Sequence, residues 1–171
     1  MPDGIEIRRF DTTEADLLRQ VRLAALQDSP EAFGSTFEVE NAKPPEFWAT
    51  WLAQTPTFGP FTRDGAPAGM AAFIRATAPK QLHRGSLGAM YVAPAWRGTD
   101  AATRLVDAVL DHARHVVTQV HLSAVAGNPR AVRFYRRMGF VEYGREPSGL
   151  RHAGIDHDVL LMVRKLHSHS Q

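Results

Sequence analysis

The sequence contains no cysteine, which excludes disulfides, zinc-thiolate sites and any mechanism that parks an intermediate on a protein thiol. Lysine occurs only at Lys43, Lys80 and Lys165. The net charge of +2, from 20 basic and 18 acidic residues, therefore rests on arginine. No lysine-rich tract or aromatic-basic interleaving marks a nucleic-acid surface, whereas arginine's planar fork suits phosphates. Internal repeats, low-complexity tracts and long linkers are missing as well. So are long apolar runs: Met1 to Phe10 mixes Asp3, Glu6, Arg8 and Arg9 into an apolar alternation. That segment has the pattern of neither a signal peptide nor a membrane span, so a cytoplasmic protein with no membrane partner is expected.

What is present fits one unit. At 171 residues and 44% hydrophobic, the chain can bury a single core, and residues 1–171 are read as one domain. Ile5, Ile7 and Phe10 predict a strand. Thr12 or Thr13 then caps a helix with apolar positions Leu17, Leu18, Val21, Ala24 and Ala25, which Ser29-Pro30 ends. A loop-rich stretch with Phe33 and Phe37 leads to Pro44-Pro45, which starts a short helix carrying Phe47, Trp48 and Trp51. Phe58 to Phe61 and Ala66 to Ala76 flank Asp64-Gly65, the strongest hairpin signal in the chain. Ser86 to Val92 predicts a strand, Asp100 to Arg114 an amphipathic helix, Val116 to Val125 a strand and Pro129 to Met138 a helix. Val141 to Tyr143 and Asp158 to Arg164 are expected as strands around a Gly- and Pro-containing loop. Alternating elements in the middle with hairpins at both ends predict a mixed α/β fold.

Two segments carry the chemistry. Met90-Tyr91-Val92-Ala93-Pro94-Ala95-Trp96-Arg97-Gly98-Thr99-Asp100-Ala101-Ala102 is a strand, a turn and a helix start, an arrangement that aims backbone N–H groups and a helix dipole at one spot and suits a phosphate. Asn128-Pro129-Arg130-Ala131-Val132-Arg133-Phe134-Tyr135-Arg136-Arg137-Met138-Gly139-Phe140 follows as a helix that Asn128 can cap. Taken singly, the first is also an ordinary tight turn and the second an ordinary amphipathic helix.

Together, over residues 86–140, they resemble the acetyl-CoA motifs of the GCN5-related N-acetyltransferase (GNAT) family: a strand plus an R-x-x-G-x-G/A loop, then an N-x-x-A-x-x-x-Y-x-x-x-G-F helix. The resemblance implies a central, mostly antiparallel sheet splayed between the strands at 86–92 and 116–125. It implies that Met90, Tyr91 and Val92 hold the pantetheine arm and polarise the thioester carbonyl. It further implies that Arg97, Gly98, Thr99, Asp100, Ala101 and Ala102 cradle the pyrophosphate, that Asn128 touches the pantetheine, and that the Tyr135 hydroxyl faces the thioester sulfur. The implied activity is direct acetyl transfer from acetyl-CoA to a primary amine, of a small molecule first and of a peptide or protein second. A homodimer is left open.

The chemistry is self-consistent. As a neutral amine attacks, fixed N–H donors stabilise the developing oxyanion, each contributing roughly 3 to 4 kcal/mol. Free Tyr near pKa 10 and a thiol near 8.5 put full proton donation uphill by roughly 2 kcal/mol, so a strong hydrogen bond from Tyr135 suffices. Asp100 departs from the family's glycine. A carboxylate about 6 Å from a phosphate charge would cost on the order of 3 kcal/mol, and this motivates the alternative of a non-catalytic acyl-CoA-binding or regulatory module. A plainer role for Asp100 is N-cap of the following helix; a third reading of the chain is a structural interaction domain without CoA.

An ammonium acceptor must lose a proton before attack. His121, Glu38 and Glu40 are the candidate bases, and His121 is equally a structural residue of its strand. Phe33, Phe37, Phe47, Trp48 and Trp51 either wall an acceptor pocket or pack short helices on the sheet. His152, Asp156, His157 and Asp158 have a metal-like composition without ligand spacing, so no metal is expected. His167 and His169 are read as a tail.

Overall fold

A computed structural model describes residues 4–167, so His169 lies outside the described residues. Seven strands form one sheet in the order β1-β2-β3-β4-β5-β7-β6. They are β1 Glu6–Arg9, β2 Thr57–Phe61, β3 Gly69–Arg75, β4 Arg84–Val92, β5 Gln119–Val125, β6 Val141–His152 and β7 Ile155–Lys165. Among the described residues, every pairing is antiparallel except β4 with β5. Among the described residues five α-helices accompany them: α1 Ala15–Asp28, α2 Phe37–Asn41, α3 Pro45–Gln54, α4 Ala101–Ala113 and α5 Pro129–Arg137.

Helices cover both faces. On one, α4 drives Leu105, Val106, Val109 and Leu110, all fully buried, onto the sheet alongside Val132 of α5. Full burial of each such side chain contributes about 1.5–3 kcal/mol. On the other, Leu18, Val21 and Ala25 of α1 pack with Trp48 and Leu52 of α3 against Phe61 and Met70. Ala24, expected on the apolar stripe of α1, is exposed.

Several local expectations are corrected. Neither Thr12 nor Thr13 caps α1; Glu14 holds the N-cap position without a side-chain cap bond. Its carboxylate instead accepts from the Asp11 N–H at 2.8 Å and pairs with Arg8, while Asp11 takes the Thr13 N–H. The loop-rich stretch contains a one-turn 3-10 helix at Pro30–Ala32 and the short α2, capped by Thr36. The expected loop between the last two strands is mostly strand. A register shift at Pro147–Gly149 bends β6, and pairing resumes until a tight turn at Ala153-Gly154, both at positive φ.

Candidate active site

The parallel pairing of β4 with β5 lasts only from Arg84 to Ser86, opposite Gln119 to His121. Beyond it the strands part. The gap is a cleft of about 660 Å³ lined by Leu87–Val92 on one side and Leu122–Val125 on the other, within the usual size range of small-molecule sites. A bulge shapes the β4 wall: Ala89 and Met90 together face the single Ala71, and Ala89 sits at φ 53°. An alanine held left-handed costs on the order of 1–2 kcal/mol, the kind of strain that collects at working sites.

The starts of two helices meet at this cleft. Asn128 Oδ1 accepts from the Ala131 N–H at 3.2 Å, capping α5 as expected and leaving Nδ2 as a donor. At α4, Asp100 occupies the N-cap position, but its side chain makes no cap bond. The Thr99 hydroxyl accepts the Ala101 N–H at 3.2 Å instead and donates to the Trp96 carbonyl at 2.6 Å. Gly98, at φ +78°, has open space where a Cβ would stand. The loop thus presents bare backbone and a helix dipole to the cleft, a donor set that fits a diphosphate.

Of the expected site residues, Met90, Tyr91, Val92, Arg97, Gly98, Thr99, Ala102, Asn128 and Tyr135 line the cleft. Ala101 is fully buried beneath it. The Asp100 carboxylate points outward, 74% exposed and 3.8 Å from Arg104 Nη1, so it does not line the cleft as the sequence had suggested. The guanidinium of Arg97, an exposed residue, is committed to partners within the chain: Nε donates to the Val92 carbonyl at 3.0 Å, and Nη2 donates to the Asp28 carboxylate. Tyr135 is half-buried, edge-on to Phe140 at 6.1 Å between centroids. Burial pushes its phenol well above the ordinary tyrosine value, so it stays protonated.

The base candidates fare differently. Glu40 is buried, and both its oxygens lie 3.1 Å from Arg22 Nε. The rings of Phe33 and Trp51 flank that guanidinium at 5.0 and 5.5 Å, and its Nη1 is buried without a partner. A carboxylate locked in a buried ion pair is not free to take a proton from an acceptor. Glu38 is exposed on α2. His121 lies outside the cleft lining. Its Nδ1 is 3.1 Å from the Tyr143 hydroxyl and 3.4 Å from Arg84 Nη2, and its Nε2 is 2.8 Å from Gln119 Nε2. Of the aromatic group, Phe33 alone lines the cleft; Trp48 is core, and the Trp51 indole donates to the Thr57 hydroxyl at 3.0 Å. On the β6-β7 hairpin, Asp156 and Asp158 pair with Arg151 and Arg145.

Sequence reasoning missed Glu31. It is the only carboxylate among the described residues lining the cleft, which otherwise carries the cations Arg97, Arg130 and Arg137. Its signal was weak because it sits on a one-turn helix with no motif around it.

Comparison with known proteins sets this geometry in a family. The sequence profile described as the acetyltransferase (GNAT) family matches residues 22–140. No curated protein sequence matches. Among solved structures, a GNAT-family acetyltransferase from Streptococcus pneumoniae superposes with a TM-score of 0.84 at 19% identity, over 95% of this chain and 99% of that one. A phosphinothricin acetyltransferase from Sinorhizobium meliloti, in complex with acetyl-CoA, gives 0.79 at 16% identity over 95% and 89%. A ribosomal-protein-alanine N-acetyltransferase from Brucella melitensis gives 0.77 at 22% identity over 94% and 99%. These likenesses are of fold, and the profile match covers well over half the chain: it belongs to the GNAT acetyltransferase family and is an acetyl-CoA-dependent acyltransferase.

Proposed function

We propose that residues 1–171 act as a single domain that transfers the acetyl group of acetyl-CoA directly to a primary amine of a small molecule. The observation that carries this reading is the splay of β4 from β5, which opens a cleft beside Tyr135 and the starts of α4 and α5. Acetyl-CoA supplies an activated carbonyl and a thiol leaving group. The backbone N–H groups of Gly98, Thr99, Asp100 and Ala102 take the pyrophosphate, and Asn128 Nδ2 donates to the pantetheine amide. Backbone donors of Met90 to Val92, at and beyond the bulge, face the thioester oxygen as charge grows on it. The bound ammonium first gives one proton to solvent; the neutral amine then attacks, the C–N bond forms as the C–S bond breaks, the nitrogen's surplus proton also leaves to solvent, and the departing CoA thiolate receives a hydrogen bond from the Tyr135 phenol. Glu31, as the cleft's carboxylate, favours a cationic amine over an acidic acceptor. The small-molecule reading is supported by fold kinship with the phosphinothricin enzyme; kinship with the ribosomal-protein enzyme makes a protein amine the outcome to test against.

The test has two stages. Acetyl-CoA at about 100 times its dissociation constant should raise the unfolding midpoint by about 5 to 10 °C. Thiol release is then followed across small amines and peptides with free N-termini. Turnover confined to peptides would replace the small-molecule reading. With a working amine, Tyr135→Phe should lower kcat about a hundredfold and leave the acetyl-CoA dissociation constant unchanged; undiminished kcat would remove Tyr135 from the chemistry.

A further inference from the structure

Asp28 is the last residue of α1, and the chain after it forms one wall of the cleft through Ser29, Glu31, Ala32 and Phe33. The opposite wall begins with Arg97, Gly98 and Thr99. These segments lie 69 residues apart in sequence and meet at a single ion pair, in which Arg97 Nη2 donates to Asp28 Oδ2. The same guanidinium holds the Val92 carbonyl at 3.0 Å and stands 5.7 Å from the centre of the Tyr91 ring. Arg97 is therefore anchored by the carboxylate, by the last residue of β4 and by an aromatic face. The start of the phosphate loop is otherwise held by local bonds: the Arg97 N–H on the Pro94 carbonyl at 3.2 Å, the Thr99 hydroxyl's bonds to Trp96 and Ala101, and the Arg104 N–H on the Asp100 carbonyl at 3.0 Å.

We propose that Asp28 is a positioning residue: through Arg97 it fixes the backbone of the Gly98–Ala102 loop and ties that loop to the Ser29–Phe33 wall. Acetyl-CoA affinity then depends on a carboxylate that touches neither cosubstrate nor acceptor. The proposal rests on the cleft being the acetyl-CoA site. Removing the carboxylate leaves Arg97 on the Val92 carbonyl and the Tyr91 ring, without its tie to the opposite wall, and the loop's N–H groups lose their fixed direction, which is what makes such donors effective.

Titration calorimetry of the full chain with acetyl-CoA tests it, on the parent, Asp28→Asn, Arg97→Gln and the double variant. Each single change should raise the dissociation constant about tenfold, the effect of one net hydrogen bond to a charged group. The double variant should be no worse than about twofold beyond the weaker single, since both remove one link. A pH series separates positioning from bulk stability. The groups facing the Asp28 carboxyl are the Arg97 guanidinium and the Ser29 and Tyr91 hydroxyls, and Arg97 first among them holds it below the usual carboxylate range. Only as pH falls below that range, where the Asp28 carboxylate takes up its proton, should the parent weaken toward Asp28→Asn, which stays flat by comparison. Arg97→Lys, keeping the charge but not the fork, should behave like Arg97→Gln. Unchanged or tighter binding by Asp28→Asn, or fully additive effects in the double variant, would overturn the proposal alone. A parent that does not bind acetyl-CoA would overturn the cleft assignment beneath it.

Discussion

Replacing Asp100 with glycine restores the residue usual in the family's loop, and the structure predicts that nearly nothing happens to cosubstrate binding. Asp100 has φ −80° and ψ 3°, a conformation open to any residue, so glycine relieves no backbone strain. Its carboxylate is turned outward toward Arg104. A carboxylate about 6 Å from a phosphate charge in a protein-like dielectric would cost about 3 kcal/mol, or two decades of affinity. At about 10 Å through water the same law gives about 0.4 kcal/mol, and physiological salt reduces that to roughly 0.1 kcal/mol. The neighbouring guanidinium opposes even this remainder. The acetyl-CoA dissociation constant of Asp100→Gly should therefore stay within about twofold of the parent at about 0.15 M ionic strength, while stability falls by at most a few tenths of a kcal/mol, roughly what glycine costs at an N-cap. Titration calorimetry at low and physiological salt reads the first quantity and urea unfolding the second. A tightening of tenfold or more, growing as salt is removed, would show that the carboxylate faces the phosphates and would refute the reasoning.

Gly98→Ala should do what Asp100→Gly does not: at φ +78° the new Cβ adds about 1–2 kcal/mol of backbone strain and enters the phosphate cradle, so both the unfolding midpoint and acetyl-CoA affinity should drop. His112 lies 5.8 Å from Phe58 and 5.3 Å from Phe73, and desolvation, then Arg9 and His115, holds its pKa below the ordinary value. The folded state thus favours the neutral ring while the unfolded chain takes up a proton near pH 6.5, so stability should fall as pH drops below about 6.5 and level off beneath the depressed folded value. His121, lowered by desolvation and Arg84, adds to the same slope; urea unfolding across this range should find it shallower in His112→Gln. Ala153→Asn should stabilise by about 0.5–1 kcal/mol, because Ala153 and Gly154, at φ 50° and 75°, form a turn that Asn-Gly prefers; an unchanged urea midpoint would refute that reading of the turn.

Two hairpin turns show what a sequence can and cannot announce. Asp64-Gly65 was legible as a hairpin because its residues are those the geometry requires, and the structure pairs β2 with β3 across it. Ala153-Gly154 makes an equally tight turn with an alanine in the left-handed region, so the strands on either side read as loop. Ala89 is a stronger case: the bulge that shapes the cleft wall rests on a residue with no preference for its conformation, and only the pairing of β3 with β4 imposes it. The cap of α5 at Asn128 was legible because capping is local chemistry. The use of Arg97 was not, because its partner Asp28 is distant in sequence. A motif names the residues near a cofactor, but the direction of each side chain depends on neighbours it does not contain.

The position of the site follows from topology more than from any one residue. A parallel strand pair cannot be joined by a tight turn and needs a crossover, so α4 must start near the end of β4 and run back along the sheet to the start of β5. The helix after β5 starts at the same end for the same reason. Two helix N-termini, each a partial positive charge with unpaired N–H groups, are thereby brought to the end where β4 and β5 part. The proposed function puts an anionic cosubstrate at that end, with its reactive arm in the gap between the strands. The opposite wall, Ser29 to Phe33 with Glu31, comes from a segment outside that crossover. On the proposed assignments, it can change its chemistry without disturbing the cosubstrate site, provided that Asp28 keeps its hold on Arg97. Acceptor preference is expected to vary there first, as readily as the loop allows.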